Sequence, residues 1–488
     1  MPTEFAMTID GKSRAAQSSQ VLSSIAPFPQ EEWATFPAAT IEDVDEAVRS
    51  AHAAFQESWW RHDPRRRATA LESLAAAIDA NAPRLAEIES YDCGKPMREA
   101  QGISVSISNF FRYAAALCRS LPQGEIQQGP SPLTVQHTIR QPYGVIAVQV
   151  PWNNPLGVLV QECALALGAG NAIVVKPSEV NPCSVLEFGA IAATTDIPPG
   201  IFNVVSGTGP VVGGALCEHP LVRKIIFTGG GDAARVIARS AAERFVPLVL
   251  ELGGKSPALV FDDADLDIAS GGILGGFTGS TGQSCTAASR VLVHAPIADE
   301  FSDRLVAAAS KVVLGDPADP GTTMGPLTSA EHAARVAERV EAGVAEGARV
   351  LCGGGRPSKP SPVADHPLFF EPTVLGDVDR SMRIAQEEVF GPVTCVIPFA
   401  DEREAVAIAN DSAFGLTASV WSNDINRINR VANELYAGTV WINGHRAGDP
   451  AYAFGGLKES GYGRENGLAG FNEMTYVKSI RYTYQPSS

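Results

Sequence analysis

A cysteine set among glycines is the first residue of the chain that could carry covalent chemistry. Cys285 ends the segment Gly282-Gln283-Ser284-Cys285, and glycine pairs precede it at 271–272 and 275–276. Glycine allows tight turns and close approach of the backbone, and a cysteine thiolate is a strong nucleophile toward a carbonyl carbon. The segment predicts a nucleophilic site, although by itself it would also suit a small buried structural cysteine.

Two other segments contain side chains that would complement such a nucleophile. Glu251 ends an apolar run and precedes Gly253-Gly254, where a carboxyl group in apolar surroundings could act as a general base. Asn153 lies in the proline-bounded turn 151–155, where its amide could donate a hydrogen bond to an oxyanion. Each could instead be an ordinary strand-end or turn residue.

The elements that would position these residues alternate between strand and helix. Helical patterns cover 41–80, 82–92 and 98–118. Strand-like runs at 145–150, 172–176, 203–206, 224–228 and 247–251 follow, separated by helical segments, and a second alternating set covers 256–441. This alternation of strands and helices predicts an α/β fold with a doubly wound parallel sheet and a second α/β unit. We expect a cleft between the two units. Lys176, Glu179 and the glycine turns at 207–209 and 229–231 follow strands, where they could bind nucleotide hydroxyls or phosphates.

Composition excludes several classes of function. The net charge is −16 and no basic stripe occurs, which argues against nucleic-acid binding. No long apolar run or signal-peptide pattern is present, so we expect no membrane association and a cytoplasmic location. The eight cysteines are scattered and form no CxxC pair, which predicts neither a disulfide scaffold nor a metal site.

Taken in order and spacing, these segments resemble the aldehyde dehydrogenase superfamily over about residues 25–482. The matching motifs are PWNNP at 151, KPSE at 176, FTGG at 227, ELGGKSP at 251, GQSC ending at 285, EEVFGP at 387 and FGGLKESGYGRE at 454. The resemblance implies an oxidoreductase that converts an aldehyde to a carboxylate with NAD(P), through a cysteine thiohemiacetal and a thioester.

The resemblance also implies individual roles. Cys285 would be the nucleophile, Glu251 the general base and Asn153 the oxyanion donor. The implied cofactor-binding residues are Trp152, Lys176, Glu179, Gly209, Gly229, Gly230, Leu252, Glu388 and Phe390. Glu179 favours NAD, with NADP still possible, because a carboxylate near the ribose would repel a 2′-phosphate. Gly230 replaces the serine usual in this turn of the family, which removes a hydroxyl donor to the pyrophosphate.

The positions that match the family's substrate pocket are mostly small and polar, which predicts a roomy site for a polar aldehyde. They are Asn154, Gly157, Gln161, Ser284, Thr286, His445, Arg446 and Phe454, with Val158, Gly279 and Gly448. Arg446 could bind a carboxylate-bearing aldehyde, or it could be a loop arginine that faces solvent or a neighbouring subunit. Because Phe454 is the main aromatic residue of this set, a quaternary ammonium substrate is less favoured.

The family architecture implies three parts. These are a Rossmann-like cofactor domain (1–124 and 143–253), an α/β catalytic domain (254–459) and a small β oligomerisation arm with the C-terminal segment (125–142 and 460–488). Exposed arm strands would pair across subunits, which predicts a homo-oligomer, either a dimer or a tetramer. Two alternatives stay open: a CoA-acylating semialdehyde dehydrogenase, against which Glu251 argues, and a catalytically retired homologue with a binding or structural role.

Overall fold

A computed structural model describes residues 2–121, 124–131, 133–445 and 448–484. The strands, in chain order, are β1 (Thr3–Glu4), β2 (Met7–Ile9), β3 (Lys12–Arg14), β4 (Val21–Ile25), β5 (Glu32–Pro37), β6 (Ile126–Gln128), β7 (Thr134–Pro142), β8 (Val145–Val150), β9 (Ala172–Pro177), β10 (Phe202–Val204), β11 (Val222–Thr228), β12 (Leu248–Glu251), β13 (Pro257–Val260), β14 (Arg290–His294), β15 (Arg349–Cys352), β16 (Thr373–Gly376), β17 (Val393–Phe399), β18 (Phe414–Gly415), β19 (Thr417–Trp421), β20 (Thr439–Ile442), β21 (Leu457–Lys458), β22 (Gly461–Tyr462) and β23 (Thr475–Thr483).

The helices are α1 (Ile41–Glu57), α2 (Pro64–Cys93), α3 (Met97–Ser106), α4 (Ser108–Ser120), α5 (Pro155–Gly168), α6 (Cys183–Ala192), α7 (Gly214–Glu218), α8 (Gly231–Ala242), α9 (Leu266–Thr278), α10 (Ala298–Ala309), α11 (Ala330–Ala345), α12 (Arg383–Gln386), α13 (Glu402–Asn410), α14 (Ile425–Glu434) and α15 (Gly467–Glu473). Short turns of other helical types occur at Gly209–Gly213, Gly279–Gly282 and Ala295–Ile297.

An eight-stranded sheet contains the strands that precede the predicted cofactor residues. Its order is β22-β12-β11-β8-β9-β10-β2-β3, and the strands from β12 to β10 run parallel. Every residue of β8 and β9 is buried, as expected for strands covered on both faces. Because these strands are parallel, their carboxyl ends meet at one edge, where ligands bind in sheets of this type.

A seven-stranded sheet in the order β15-β16-β17-β14-β13-β19-β20 forms the second α/β unit. A third sheet joins β6, β7 and β23, and β7 pairs with β23 in antiparallel register from Thr134 opposite Thr483 to Pro142 opposite Thr475. The predicted α/β fold with a small β arm is confirmed. The domain limits drawn from the sequence stay predictions.

The helices near the N-terminus differ from the sequence pattern, which favoured one helical run over 41–80 and a separate helix over 82–92. The structure ends α1 at Glu57 and starts α2 at Pro64, with the Asp63 side chain accepting a hydrogen bond from the Arg66 backbone N–H. Proline suits the first position of a helix because no donor is needed there. The helix then continues through Pro83 to Cys93.

Two further differences concern local structure. The helix predicted over 98–118 is divided at Ile107 into α3 and α4. Strands β1 to β5 were not predicted, because runs of two to six residues give little alternation to read. Across the residues that the structure describes, no helix is long and apolar enough to cross a membrane.

Candidate active site

Three strand ends bring two of the predicted polar residues together with Thr228, which was not assigned a role from the sequence. Asn153, Thr228 and Glu251 lie at or just beyond the carboxyl ends of β8, β11 and β12, which are neighbours in the sheet. A cleft of about 490 Å³ and a pocket of about 210 Å³ meet at this edge. The three residues and Cys285 line both cavities, so two ligands could reach the same thiol from opposite sides.

The glycine pair after Glu251 lets two other chain segments approach. A Cβ on Gly253 would lie 2.5 Å from Glu388 Oε2, and a Cβ on Gly254 would lie 2.3 Å from the carbonyl oxygen of Cys285. The Gly254 N–H donates to Glu388 Oε1 at 2.8 Å. The motif is therefore a packing requirement that places the Cys285 backbone and the Glu388 carboxyl group against the end of β12.

The loop before Cys285 has an unusual backbone conformation. Ser280 and Thr281 have φ values of 52° and 56°, and a Cβ on Gly282, at φ +68°, would lie 2.1 Å from the Gly391 carbonyl oxygen. This turn places Cys285 in a half-buried position at the cavity wall. Asn153 Nδ2 donates to the Gln283 carbonyl at 2.9 Å, which uses one of its two N–H groups and leaves the second for a substrate oxygen.

Two more carboxyl groups lie beside Glu251 and were not assigned a role from the sequence. β22 pairs antiparallel with β12, with Gly461 opposite Glu251, and this pairing brings the following Glu465 to the site. Thr228 Oγ1 donates to Glu162 Oε1 at 2.6 Å. Neither oxygen of Glu251 has a hydrogen-bond partner among the residues described.

Burial dominates the protonation of these three carboxyl groups. It raises the pKa of Glu251 and of Glu162 well above the ordinary range, and the negative charge of Glu465 adds to both shifts. It raises the pKa of Glu465 to about 8. Burial therefore favours the protonated form of all three groups, and Glu251 must release its proton before it can act as a base.

The cleft, which is the larger of these two cavities, is lined by residues that suit part of a dinucleotide. The cofactor residues predicted from the sequence that line it are Trp152, Gly229, Gly230, Leu252, Glu388 and Phe390. Gly230 precedes α8, and no atom lies within 4 Å of the position of its missing Cβ, so the helix N-terminus is open to a phosphate. Burial raises the pKa of Glu388 to about 7.

The remaining predicted cofactor residues form a second group at the end of β9. Lys176 Nζ lies 3.1 Å from Glu179 Oε2, and the Gly209 N–H donates to Glu179 Oε1 at 3.2 Å. Burial lowers the pKa of Lys176, whereas in Glu179 burial is outweighed by the Lys176 charge and by hydrogen bonds, so that its pKa is lowered. The pair presents an ammonium and a carboxylate, a set that suits ribose hydroxyls.

The smaller cavity contains most of the predicted substrate residues. Those that line it are Asn154, Val158, Gln161, Ser284, Thr286, Gly448 and Phe454. His445 lies behind this wall, with Nε2 2.8 Å from the Thr286 carbonyl oxygen, and Gly157 lies beneath the Asn154 amide. Arg446 lies outside the described residues.

Several lining residues were missed in the sequence. Trp441, Asp449 and Tyr452 line the smaller cavity, and His332, Arg335 and Arg339 line the cleft. Glu465 had a signal, since it ends the FGGLKESGYGRE motif; Trp441, Asp449, Tyr452, His332, Arg335 and Arg339 come from segments without a motif. The described residues include no group of three or more His, Cys, Asp or Glu side chains placed to hold a metal ion.

Two α/β units with Cys285 on the wall shared by two cavities are the arrangement that the sequence motifs led us to expect, and the comparison with known families agrees. The aldehyde dehydrogenase family model matches residues 14–480, and the chain belongs to this family. This confirms the resemblance, the fold and the enzyme class predicted from the sequence.

Individual relatives are similar over almost their whole length. Betaine aldehyde dehydrogenase of Bacillus subtilis is 40% identical over 98% of this chain and 98% of its own, and aminoaldehyde dehydrogenase 2 of Pisum sativum is 38% identical over 97% and 94%. The crystal structure of Staphylococcus aureus betaine aldehyde dehydrogenase with NAD+ matches with a TM-score of 0.95 at 36% identity, over 99% of this chain and 96% of that one. The expected nicotinamide cofactor is thus present in a structure of the same family.

Proposed function

We propose that this chain oxidises small, positively charged aldehydes to carboxylates with NAD+, through a thioester on Cys285. The observation that carries the proposal is that Cys285, Glu251 and Asn153 line the wall shared by the cofactor cleft and the substrate pocket. The position of Glu179 beside Lys176 supports NAD+ over NADP+. A cytoplasmic location and a dimeric or tetrameric assembly stay predictions of the sequence.

The residues divide the reaction into two steps. The Cys285 thiolate adds to the aldehyde carbon, and the second N–H of Asn153 donates to the oxyanion that forms. NAD+ bound in the cleft would accept the hydride, which leaves an acyl group on Cys285. Glu251 then takes a proton from water, which attacks the thioester and releases the carboxylate.

Charge in the smaller cavity favours a cationic substrate. Its described lining residues include no lysine or arginine, and Asp449 contributes a carboxylate that lies outside the buried cluster of Glu251 and Glu465. Trp441, Tyr452 and Phe454 also line this cavity, and aromatic faces attract ammonium groups. The pocket is therefore more aromatic than the positions matched from the sequence indicated. The names of the relatives, betaine and aminoaldehyde dehydrogenases, point the same way.

A substrate panel tests the proposal. We expect NADH formation with aminobutanal and betaine aldehyde at a higher kcat/KM than with butanal or succinic semialdehyde, without coenzyme A, and none with Cys285→Ala. Asp449→Asn should lower kcat/KM for the two cations by roughly fivefold and leave butanal unchanged. A preference for succinic semialdehyde that Arg446→Ala removes would favour the carboxylate-bearing class instead, and dependence on coenzyme A would favour the acylating reaction.

A further inference from the structure

A buried ion pair lies directly behind the substrate pocket. Lys95 Nζ is 2.6 Å from Glu89 Oε1, and the two side chains are 3% and 0% exposed. The second oxygen of Glu89 accepts a hydrogen bond from Ser184 Oγ at 2.7 Å. Burial opposes the Lys95 charge, but the charges of Glu89, Cys93 and Glu99 and the hydrogen bond to Glu89 together outweigh it and raise the pKa of Lys95.

This ammonium group fixes the orientation of one pocket residue. Lys95 Nζ donates to Asn154 Oδ1 at 3.0 Å. Because an ammonium group only donates, the atom facing Lys95 must be the amide oxygen, and the NH₂ group is directed elsewhere. Lys95 does not line the pocket, whereas Asn154 does.

The amide nitrogen lies over a glycine that makes room for it. A Cβ on Gly157 would lie 2.2 Å from Asn154 Nδ2. Among the residues described, Nδ2 has no hydrogen-bond partner, and it is not one of the buried atoms left without one, so it is accessible. An accessible, oriented donor at the wall of a substrate pocket is suited to an acceptor on the ligand.

We propose that Asn154 is a specificity residue that donates a hydrogen bond to an uncharged acceptor oxygen of the aldehyde substrate, and that Lys95 is the positioning residue that holds it. This inference rests on the proposed function. It adds a second feature to the expected substrate, which would carry an acceptor oxygen in its chain as well as a positive charge. An enzyme site that hydrogen-bonds a polar atom of its substrate discriminates against an analogue that lacks this atom.

The test compares methoxyacetaldehyde with butanal, which have equal numbers of heavy atoms and differ by one ether oxygen in place of a methylene. The quantity measured is kcat/KM for methoxyacetaldehyde divided by kcat/KM for butanal. Each variant's ratio is compared with the wild-type ratio, because this comparison cancels the different intrinsic reactivities of the two aldehydes. Asn154→Leu should lower this ratio by roughly five- to tenfold, the range of a neutral hydrogen bond. Asn154→Asp keeps the contact with Lys95 but presents an acceptor, and should lower it further.

A double variant tests whether the Asn154 amide must be oriented by the ion pair of Lys95 and Glu89. Lys95→Met with Glu89→Gln removes both buried charges together and should lower the ratio as Asn154→Leu does, mainly through KM for methoxyacetaldehyde. Asn433→Leu is the matched control, because Asn433 is an exposed asparagine of α14 that lines neither the pocket nor the cleft. An unchanged ratio in Asn154→Leu, or an equal loss in Asn433→Leu, would overturn the inference. Failure of the wild type to oxidise any aldehyde would instead overturn the proposed function.

Discussion

The carbonyl oxygen of Cys285 occupies the space that a side chain on Gly254 would need, 2.3 Å from the position of a Cβ. The predicted nucleophile is therefore positioned by the segment that carries the predicted base, since Gly254 lies three residues after Glu251. The motif around Glu251 and the motif around Cys285 thus form one packed unit.

This packing can be tested with Gly254→Ala. Because the atom in the way belongs to the backbone, the added methyl group must displace the Cys285 segment, at a cost of about 1–3 kcal/mol of unfolding free energy and most of the activity. Gly271→Ala is the matched control: no atom lies within 4 Å of its missing Cβ in α9, so stability should hold or increase. Urea unfolding and NADH formation measure the two effects, and equal behaviour of the variants would contradict the packing argument.

Replacing the thiol should remove the reaction while leaving the fold intact. For Cys285→Ala we expect a loss of at least about a thousandfold in turnover, because no other group on the shared wall can form the thioester. Cys352→Ala provides the control, since Cys352 is the other half-buried cysteine and lies on β15, away from both cavities. Loss of activity in Cys352→Ala alone would refute the assignment.

The base assignment predicts a kinetic separation of the two steps. Glu251→Gln should retain a rapid burst of about one NADH per site and lose most of the later steady rate, since acylation does not need the base but hydrolysis does. Rapid-mixing absorbance measures both phases, with the exposed Glu459→Gln as control. Loss of the burst together with the steady rate would place Glu251 in the first step.

The pH dependence of hydrolysis follows from the same carboxyl cluster. Glu251 must be ionised to act, and burial followed by the charge of Glu465 raises its pKa well above the ordinary value. The steady rate should therefore rise with pH above the range in which an ordinary glutamate titrates, and Glu465→Gln should move the rise to lower pH because a second carboxylate can then no longer form beside Glu251. An unshifted pH profile in that variant would show that the two groups do not interact.

Glu465 should also make the fold less stable as the pH rises. Its pKa is about 8 in the folded state against an ordinary value of 4.5, so the folded state binds more protons between these values. Its contribution to stability is complete below the ordinary pKa and is lost as the pH rises toward about 8, at up to about 1.4 kcal/mol per pH unit. Glu465→Gln should flatten the fall of the urea midpoint between about pH 5 and 8, whereas Glu459→Gln should keep the wild-type slope.

The sequence by itself determined the parts of this protein whose signal is local. Strands β8, β9, β11 and β12 were predicted because buried parallel strands are continuous apolar runs, and Cys285, Glu251 and Asn153 were selected because each lies in a motif. The order of those motifs was enough to identify the family.

Only the tertiary structure decided which further residues join the site. Lys95 reaches Asn154 from the end of α2, and Glu465 reaches Glu251 through the pairing of β22 with β12, across 59 and more than 200 residues of chain. Such contacts depend on strand order and long-range packing, which hydrophobic periodicity does not encode. The same reason explains why the aromatic and acidic character of the substrate pocket, from Trp441, Asp449 and Tyr452, was missed in the sequence.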